Sequence, residues 1–164
     1  MVANLSLNQF APNTPVDGMY VYMANEGQLH NVIVGADVTL KAGDFVKLDS
    51  TSTNTNAPVV VDAVTADAGA GANLPPFGVV TYTPIKSSFA EGERVGLARD
   101  NDVVWKTASA AISAGTPVIY DANQKVKGVT SSDRYIVGVA LTPASAAGDL
   151  IQVLIKVTYG PASL

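Results

Sequence analysis

The sequence predicts an all-β protein: a small β-barrel or β-sandwich built from two related halves, preceded by an extended N-terminal arm. Only 15% of the 164 residues are charged, while 48% are hydrophobic. Short runs rich in Val, Ile, Thr and Tyr alternate with turns rich in Gly, Pro, Asn and Asp, which is the pattern of strands. Turn and strand motifs in the first half recur in the second, which indicates an internal repeat.

Residues 1–18 are predicted to form the extended arm, because their prolines and asparagines oppose regular structure. Apolar side chains are spaced among these polar residues. One interpretation is that the arm reaches a neighbouring subunit, since apolar anchors would be wasted in solvent. The other is a frayed terminus, which is common at chain ends. The candidate capsid or subunit contacts are Leu5, Leu7, Phe10, Pro12 and Pro15.

Residues 19–164 are predicted to form a single β domain, a length that can bury a core without disulfide bonds. Residues 19–23 are β-prone, and residues 30–40 suit one or two short strands broken at 35–37. Prolines and turn residues then separate the strands of the first half. In order, the later elements are a turn at 43–44, a strand at 45–48, an exposed loop at 50–56, a strand at 58–61, a flexible loop at 66–73, a strand at 77–83, a connection at 85–93 with at most a short helical turn, two strands within 94–106, a strand at 118–120, a strand at 125–127 and two strands within 135–157.

The repeat is most visible in residues 135–157, where two β-prone runs flank a turn of small residues. Gly138-Val139 followed by Thr142-Pro143 corresponds to Gly78-Val79 followed by Thr83-Pro84. A second set of motifs places a glycine in a turn, as Ala42-Gly43-Asp44, Ala114-Gly115-Thr116 and Ala147-Gly148-Asp149. We interpret residues of about 36–99 and 108–157 as two divergent copies of one β-unit.

The sequence shows no catalytic, cofactor-binding or metal-binding constellation. There is no cysteine, and His30 is the single histidine, without clustered acidic neighbours. The Gly/Ala-rich loop at 66–73 lacks the Lys-Ser/Thr ending of a phosphate-binding loop, and Asp100-Asn101-Asp102 lacks the rest of a calcium loop. Acidic residues recur at turns, which favours a turn role over acid–base catalysis. Trp105 is expected to pack in the core or in an interface.

A net charge of −4 and a pI near 4.7 argue against nucleic acid as a direct partner, because phosphate binding draws on clustered Lys and Arg. The N-terminus lacks the pattern of a secretion signal. No apolar run has the roughly 20 residues of a membrane helix. We therefore expect a soluble protein made in a cytoplasm, without membrane or nucleic-acid partners.

With these turns and paired Gly-Val strands in view, residues 36–157 resemble the capsid decoration or structural cement proteins of tailed bacteriophages. The resemblance also covers the ending from Gly138 to Pro143 and from Ala147 to Val153. It implies small β-barrel domains that form homotrimers on the outer surface of the capsid and bridge neighbouring major capsid subunits. An N-terminal arm often contributes to such contacts, and the arm described above is similar in kind.

The functional prediction is a non-enzymatic virion protein, made in the host cytoplasm, that cements the capsid by binding across junctions of the major capsid protein. A low-charge surface rich in small and apolar residues suits a chain that a partner covers. Two alternatives remain open. One is another phage structural component of the shell or tail, and the other is a β-sandwich that binds glycans through Trp105 and tyrosines.

Overall fold

A computed structural model describes residues 14–22, 32–64 and 75–161 of the chain. Strands dominate the described residues, and the predicted all-β, barrel-like fold is confirmed. The strands are β1 (Tyr20–Tyr22), β2 (Val32–Val34), β3 (Leu40–Lys41), β4 (Phe45–Leu48), β5 (Val59–Asp62), β6 (Gly78–Val80), β7 (Ser88–Phe89), β8 (Arg94–Val95), β9 (Leu97–Ala98), β10 (Val103–Thr107), β11 (Pro117–Tyr120), β12 (Val126–Gly128), β13 (Tyr135–Ala140) and β14 (Leu150–Tyr159).

The second half of the chain, together with β1, forms a six-stranded sheet in the order β1-β10-β14-β13-β11-β12. The long strand β14 pairs antiparallel with β10 on one side and with β13 on the other. β12 returns towards β10 through a parallel bridge between Val126 and Ala108. This sheet is therefore a nearly closed barrel, which we call the second barrel.

The first half forms another six-stranded sheet in the order β8-β2-β5-β4-β6-β9. Its end strands β8 and β9 are separated only by Gly96, so the chain itself joins the two edges. The short pair β3 and β7 lies apart from this sheet and is antiparallel. We call this sheet and the β3–β7 pair the first barrel.

The two barrels share a pattern of strand pairing. Val34 pairs in parallel with Val60, as Ala108 does with Val126. The matching pairs also relate β2 to β10, although both strands lie outside the two predicted repeat copies at 36–99 and 108–157. The internal duplication stays an interpretation, which these matching bonds support. Three backbone hydrogen bonds of the first barrel have counterparts in the second. The bonds of the first barrel are Gly43 N to Val80 O, Val34 N to Glu93 O and Gly92 N to Val34 O. Their counterparts, in the same order, are Gly115 N to Ala140 O, Ala108 N to Asp149 O and Gly148 N to Ala108 O.

The repeated turn glycines have a backbone cause. Gly43, Gly115 and Gly148 have φ values of 91°, 83° and 97°, in the left-handed region that side chains with a Cβ rarely adopt. Each glycine also donates its N–H to a strand carbonyl, as described above. The Ala-Gly-Asp/Thr motif therefore marks the point where the chain reverses into the next strand of a barrel.

The repeated Gly-Val pairs have a different cause, which is the close approach of two strands. A Cβ on Gly78 would lie 2.7 Å from the carbonyl oxygen of Ala98. A Cβ on Gly138 would overlap the carbonyl oxygen of Leu154, next to a register shift between Ile136 and Gly138. Only glycine lets β6 approach β9, and β13 approach β14, this closely.

Each barrel has a core, and the period-2 alternation of strands decides which side chains enter it. In β4, Val46 belongs to the core of the first barrel, while the neighbouring Phe45 belongs to the core of the second. One buried cluster, from Val32 to Leu97, fills the first barrel. The larger cluster fills the second barrel and includes four residues from the first half: Phe45, Ala63, Val79 and Ala98. The outer face of the first sheet thus packs against the second barrel, so the larger of the two clusters contains residues from both halves of the chain.

A buried lysine lies at the joint between the barrels. Lys106 of β10 is fully buried, and its Nζ donates to the carbonyl oxygens of Gly43 and Gln124 and lies 3.1 Å from Asp17 Oδ2. The ammonium also lies 4.8 Å from the ring centroid of Phe45. Burial lowers the pKa of Lys106, and the Asp17 carboxylate opposes this shift. One side chain thereby connects the second barrel, the β3–β4 turn of the first barrel and the segment before β1.

Gln124 completes this joint. Its side chain accepts a hydrogen bond from Phe45 N and donates to Phe45 O and to Asp62 Oδ2. The rings of Phe45 and Tyr120 stack with centroids 5.2 Å apart. Among the described residues, no buried side-chain polar atom lacks a partner. Polar and apolar contacts together therefore fix how the barrels meet.

The structure differs from the sequence-based element list in three places. Within 85–93, Ser88–Phe89 is a strand rather than a short helical turn, because it pairs with Leu40–Lys41. Residues 94–106 hold three strands instead of two, since β8 and β9 pair with different partners. The last strand extends beyond the predicted limit at 157, because Tyr159 still pairs with Tyr135.

Replacing Gly138 with alanine is expected to lower the free energy of unfolding by about 3 kcal/mol, because the added Cβ would collide with backbone that cannot move without opening β13 from β14. Denaturant unfolding of purified protein measures the change. The matched control is Gly128→Ala in β12, where the Cβ would lie 3.6 Å from Thr116 Cγ2, an ordinary contact. Equal stability of the two variants would contradict the close-approach explanation.

Replacing Lys106 with methionine is expected to lower the free energy of unfolding by about 3 kcal/mol, since it leaves Asp17 and the Gly43 carbonyl without their buried partner. We expect a destabilisation at the low end of the range for a broken buried ion pair, because the Asp17 side chain is 30% exposed and water can reach it. The exposed Lys156→Met in β14 serves as the control and should change stability by less than about 0.5 kcal/mol. An unchanged unfolding midpoint for Lys106→Met would show that the joint does not depend on this lysine.

Candidate interaction surface

The root of the N-terminal arm is held at the joint between the barrels. Asp17 Oδ1 accepts a hydrogen bond from Thr107 N at 2.8 Å, in addition to the Lys106 contact. Gly18 N donates to Trp105 O, and Gly18 O accepts from Tyr82 N of the first barrel. Asp17 and Gly18 are therefore fixed beside both barrels.

Of the five predicted contact residues, the structure describes one. Pro15 is half-buried in the segment that leads to Asp17. Leu5, Leu7, Phe10 and Pro12 lie outside the described residues, so their role as capsid or subunit contacts stays a prediction.

Three acidic residues of the repeated turns, Asp44, Glu93 and Asp149, bond to the backbone of their own turns, whereas Glu91 accepts a hydrogen bond from Asp37 N. Asp44 Oδ2 accepts from Lys41 N, and Glu93 Oε2 accepts from Ala90 N at 2.7 Å. Asp149 Oδ2 accepts from Ser145 N and Oγ and from Ala146 N, and these bonds lower the pKa of Asp149. In contrast, burial raises the pKa of Asp44. These bonds agree with the predicted turn role for Asp44, Glu93 and Asp149.

Trp105 lies in the middle of β10, opposite Gln152 of β14, and is half-buried. Its backbone donates to Met19 O and accepts from Gly18 N, so its strand is held on both sides. Within residues 14–22, 32–64 and 75–161, no group of three or more His, Cys, Asp or Glu side chains could hold a metal ion. His30 lies outside these ranges.

Large apolar side chains are exposed at several separate places on the described surface. Ile85 is the extreme case, with 97% of its surface exposed at the tip of the turn that follows β6. Tyr159, at the end of β14, is 73% exposed. A single exposed apolar residue is ordinary, but a nearly fully exposed isoleucine on a hydrogen-bonded turn is a candidate contact. The other exposed members are Val21, Leu48 and Leu141.

A shallow cleft of about 220 Å³ lies at the other end of β6. Its walls are mainly apolar, with one cation and one anion at the edge. The Arg99 guanidinium lies 4.2 Å from the ring centroid of Phe77, and Arg99 Nε donates to Phe77 O. Asp100 Oδ1 accepts from Val157 N, so both charged residues are held in place. The lining residues are Leu48, Pro75, Pro76, Phe77, Arg99, Asp100 and Val157.

The sequence-based reasoning missed Lys106, Ile85 and this cleft. Lys106 lies in a strand in which apolar and polar residues alternate, and this pattern would also suit a lysine that faces solvent. A signal for Ile85 did exist: the interval from Thr83 to the turn glycine Gly92 is three residues longer than the corresponding interval from Thr142 to Gly148 in the second copy. The cleft collects residues from four separate segments, and no sequence pattern brings these together.

Comparisons with known proteins identify the family of this chain. Among the described residues, no helix has the length and hydrophobicity needed to cross a membrane. No curated protein matches the chain. A family model described as phage cement protein matches residues 24–157, which is most of the chain and includes every strand from β2 to β13 and most of β14. This all-β chain, with its two nearly closed barrels, therefore belongs to the phage cement protein family.

Proposed function

We propose that the protein decorates the outer surface of the bacteriophage capsid as a homotrimer and cements it by binding across junctions of the major capsid protein. Membership of the phage cement protein family carries this proposal, since it indicates a structural role at the capsid. The role is non-enzymatic, and the partners are the major capsid protein and further copies of this chain. Synthesis in the host cytoplasm precedes assembly onto the virion.

The surface chemistry supports binding by apolar contact. Only 15% of the residues are charged, so electrostatic attraction has few groups to act through. Exposed apolar side chains occur on both barrels, as Ile85 on the first and Leu141 and Tyr159 on the second. Burial of such side chains stabilises a contact in proportion to the apolar area removed from water. Copies bound around a lattice then add avidity to each weak contact.

The position of the arm root supports the predicted role of the arm. Asp17 and Gly18 are bonded to both barrels, so the segment before them starts from a fixed point. An arm with such an origin can carry Leu5, Leu7 and Phe10 to a neighbouring subunit without loosening the folded body. In this proposal the two barrels span the junction between capsid subunits and the arm extends the contact.

Undecorated phage heads incubated with purified protein are expected to bind it and to resist heating to a higher temperature, because the bound chain must be released before the shell opens. Sedimentation of heads with bound protein and thermal disruption followed by DNA-dye fluorescence measure the two effects. Heads that neither bind the protein nor gain heat resistance would contradict the proposal. Assembly of the purified chain alone into shells or tubes would favour the alternative structural role.

Replacing Leu5, Leu7 and Phe10 together with serine is expected to weaken head binding at least tenfold, since a buried apolar side chain contributes about 1.5–3 kcal/mol and 1.4 kcal/mol corresponds to tenfold. The matched control is Asn4→Ser with Asn8→Ser, which changes polar residues of the same segment. The unfolding midpoint of both variants should equal that of the unaltered protein. Unchanged affinity of the triple variant would show that the arm is not a contact.

A further inference from the structure

The backbone of Phe45 points to a position that the neighbouring strand β5 does not reach. In antiparallel strands, successive residues direct their backbone groups to opposite sides. The carbonyl oxygens of Asp44 and Val46 accept bonds from β6 and the residue before it, so the N–H and C=O of Phe45 face the side of β5. The register of β4 with β5 would place Ala63 opposite Phe45, because Val46 lies opposite Asp62. However, β5 ends at Asp62, so the strand stops one residue short.

The side-chain amide of Gln124 takes this position. Its Oε1 accepts from Phe45 N at 2.9 Å, and its Nε2 donates to Phe45 O at 3.1 Å. These are the two bonds that a residue of a neighbouring antiparallel strand would make. Nε2 also donates to Asp62 Oδ2 at 2.9 Å, at the end of β5. Gln124 lies in the turn between β11 and β12, so the second barrel supplies the strand residue that the first sheet lacks.

The matching position of the second barrel needs no such substitute. Pro117 follows Gly115 by two residues, as Phe45 follows Gly43. Proline has no N–H, and the carbonyl oxygen of Pro117 accepts from Val129 N, directly after β12. The chain that forms β12 thus serves this position within the second barrel, whereas the first barrel takes a side chain from the other half of the molecule.

The backbone of Gln124 is fixed in a conformation that is uncommon for its residue type. Its φ is 63°, in the left-handed region. Gln124 N donates to Asp121 O, and Asp121 Oδ1 accepts from Asn123 N and Lys125 N. Gln124 O accepts from Lys106 Nζ. A sparsely populated conformation persists only where its surroundings over-determine it, and here both the turn and the buried joint do so.

We propose that Gln124 acts as an orientation lock: its amide replaces the residue that β5 lacks and thereby holds the two barrels in one orientation. Burial of apolar surface is non-directional, so the apolar cluster between the barrels does not by itself select one arrangement. Two hydrogen bonds to the backbone of a single residue require a defined distance and direction. The lock belongs to the folded chain itself and does not depend on binding to the capsid.

Spin labels on the two barrels measure this orientation, and the absence of cysteine makes the labelling selective. The labels are attached at Leu48→Cys in β4 and Leu141→Cys after β13, which are 39% and 44% exposed. We expect one narrow distance distribution for the otherwise unaltered protein. Gln124→Met keeps the length of the side chain without its hydrogen bonds and should broaden or shift the distribution. The matched control is Asn123→Ala, an exposed residue of the same turn, which should leave the distribution unchanged.

Amide hydrogen exchange tests the contact itself. The N–H of Phe45 is expected to exchange about tenfold faster in Gln124→Met, as for the loss of one typical hydrogen bond. The internal reference is the N–H of Asp49, which bonds to Val59 O at the other end of the same strand pair and should not change. An equal acceleration at Phe45 and Asp49 would overturn the proposal, because it would show a general loss of stability.

Gln124→Asn separates the reach of the amide from the backbone conformation. Asparagine tolerates a positive φ, but its side chain is one methylene shorter. We expect this variant to broaden or shift the distribution as Gln124→Met does, and it provides the test if the methionine variant does not fold. A narrow, unshifted distribution in the Gln124 variants would overturn the proposal, above all if Lys106→Met broadens it, since the buried ion pair would then set the orientation. Neither measurement involves phage heads, so failure of the capsid role would leave this result unaffected.

Discussion

The buried ammonium of Lys106 is the interaction on which the arrangement of the two barrels depends. It donates hydrogen bonds to carbonyl oxygens from both halves of the chain and to a carboxylate of the segment before β1. A lysine without these partners could not remain fully buried, because the desolvation of its charge would be too costly. The β3–β4 turn, Gln124 and the arm root must therefore all be in place for β10 to occupy the second barrel as it does.

The same joint links the fold to the proposed function. Asp17, at the end of the predicted arm, bonds to both the Nζ of Lys106 and the backbone of Thr107. The apolar cluster that includes Phe45 and Tyr120 lies next to these polar contacts. A capsid contact made through the arm would thus act on a rigid two-barrel body, which suits a protein that resists deformation of a lattice.

The barrels follow one plan but present different surfaces. Their turns and strand approaches use glycine at matching places, where backbone geometry leaves no room for a Cβ or requires a positive φ. Between those places the copies diverge. The first barrel carries the exposed Ile85 between Thr83 and Lys86, and the second has the uninterrupted strand β14 where the first has β8 and β9. Such divergence gives one chain two unlike faces.

Local chemistry alone determined the all-β class, the paired strands at 135–157 and the repeated turns, because glycine, proline and alternating apolar residues act over a few neighbouring positions. The tertiary structure decided what depends on distant pairing. Residues 88–89 became a strand only through contact with Leu40–Lys41, and Lys106 became buried only because Gly43, Gln124 and Asp17 surround it. The cleft likewise needs Leu48, Phe77, Arg99 and Val157 together. Contacts across such separations arise from packing between strands, and a single strand's own sequence does not specify them.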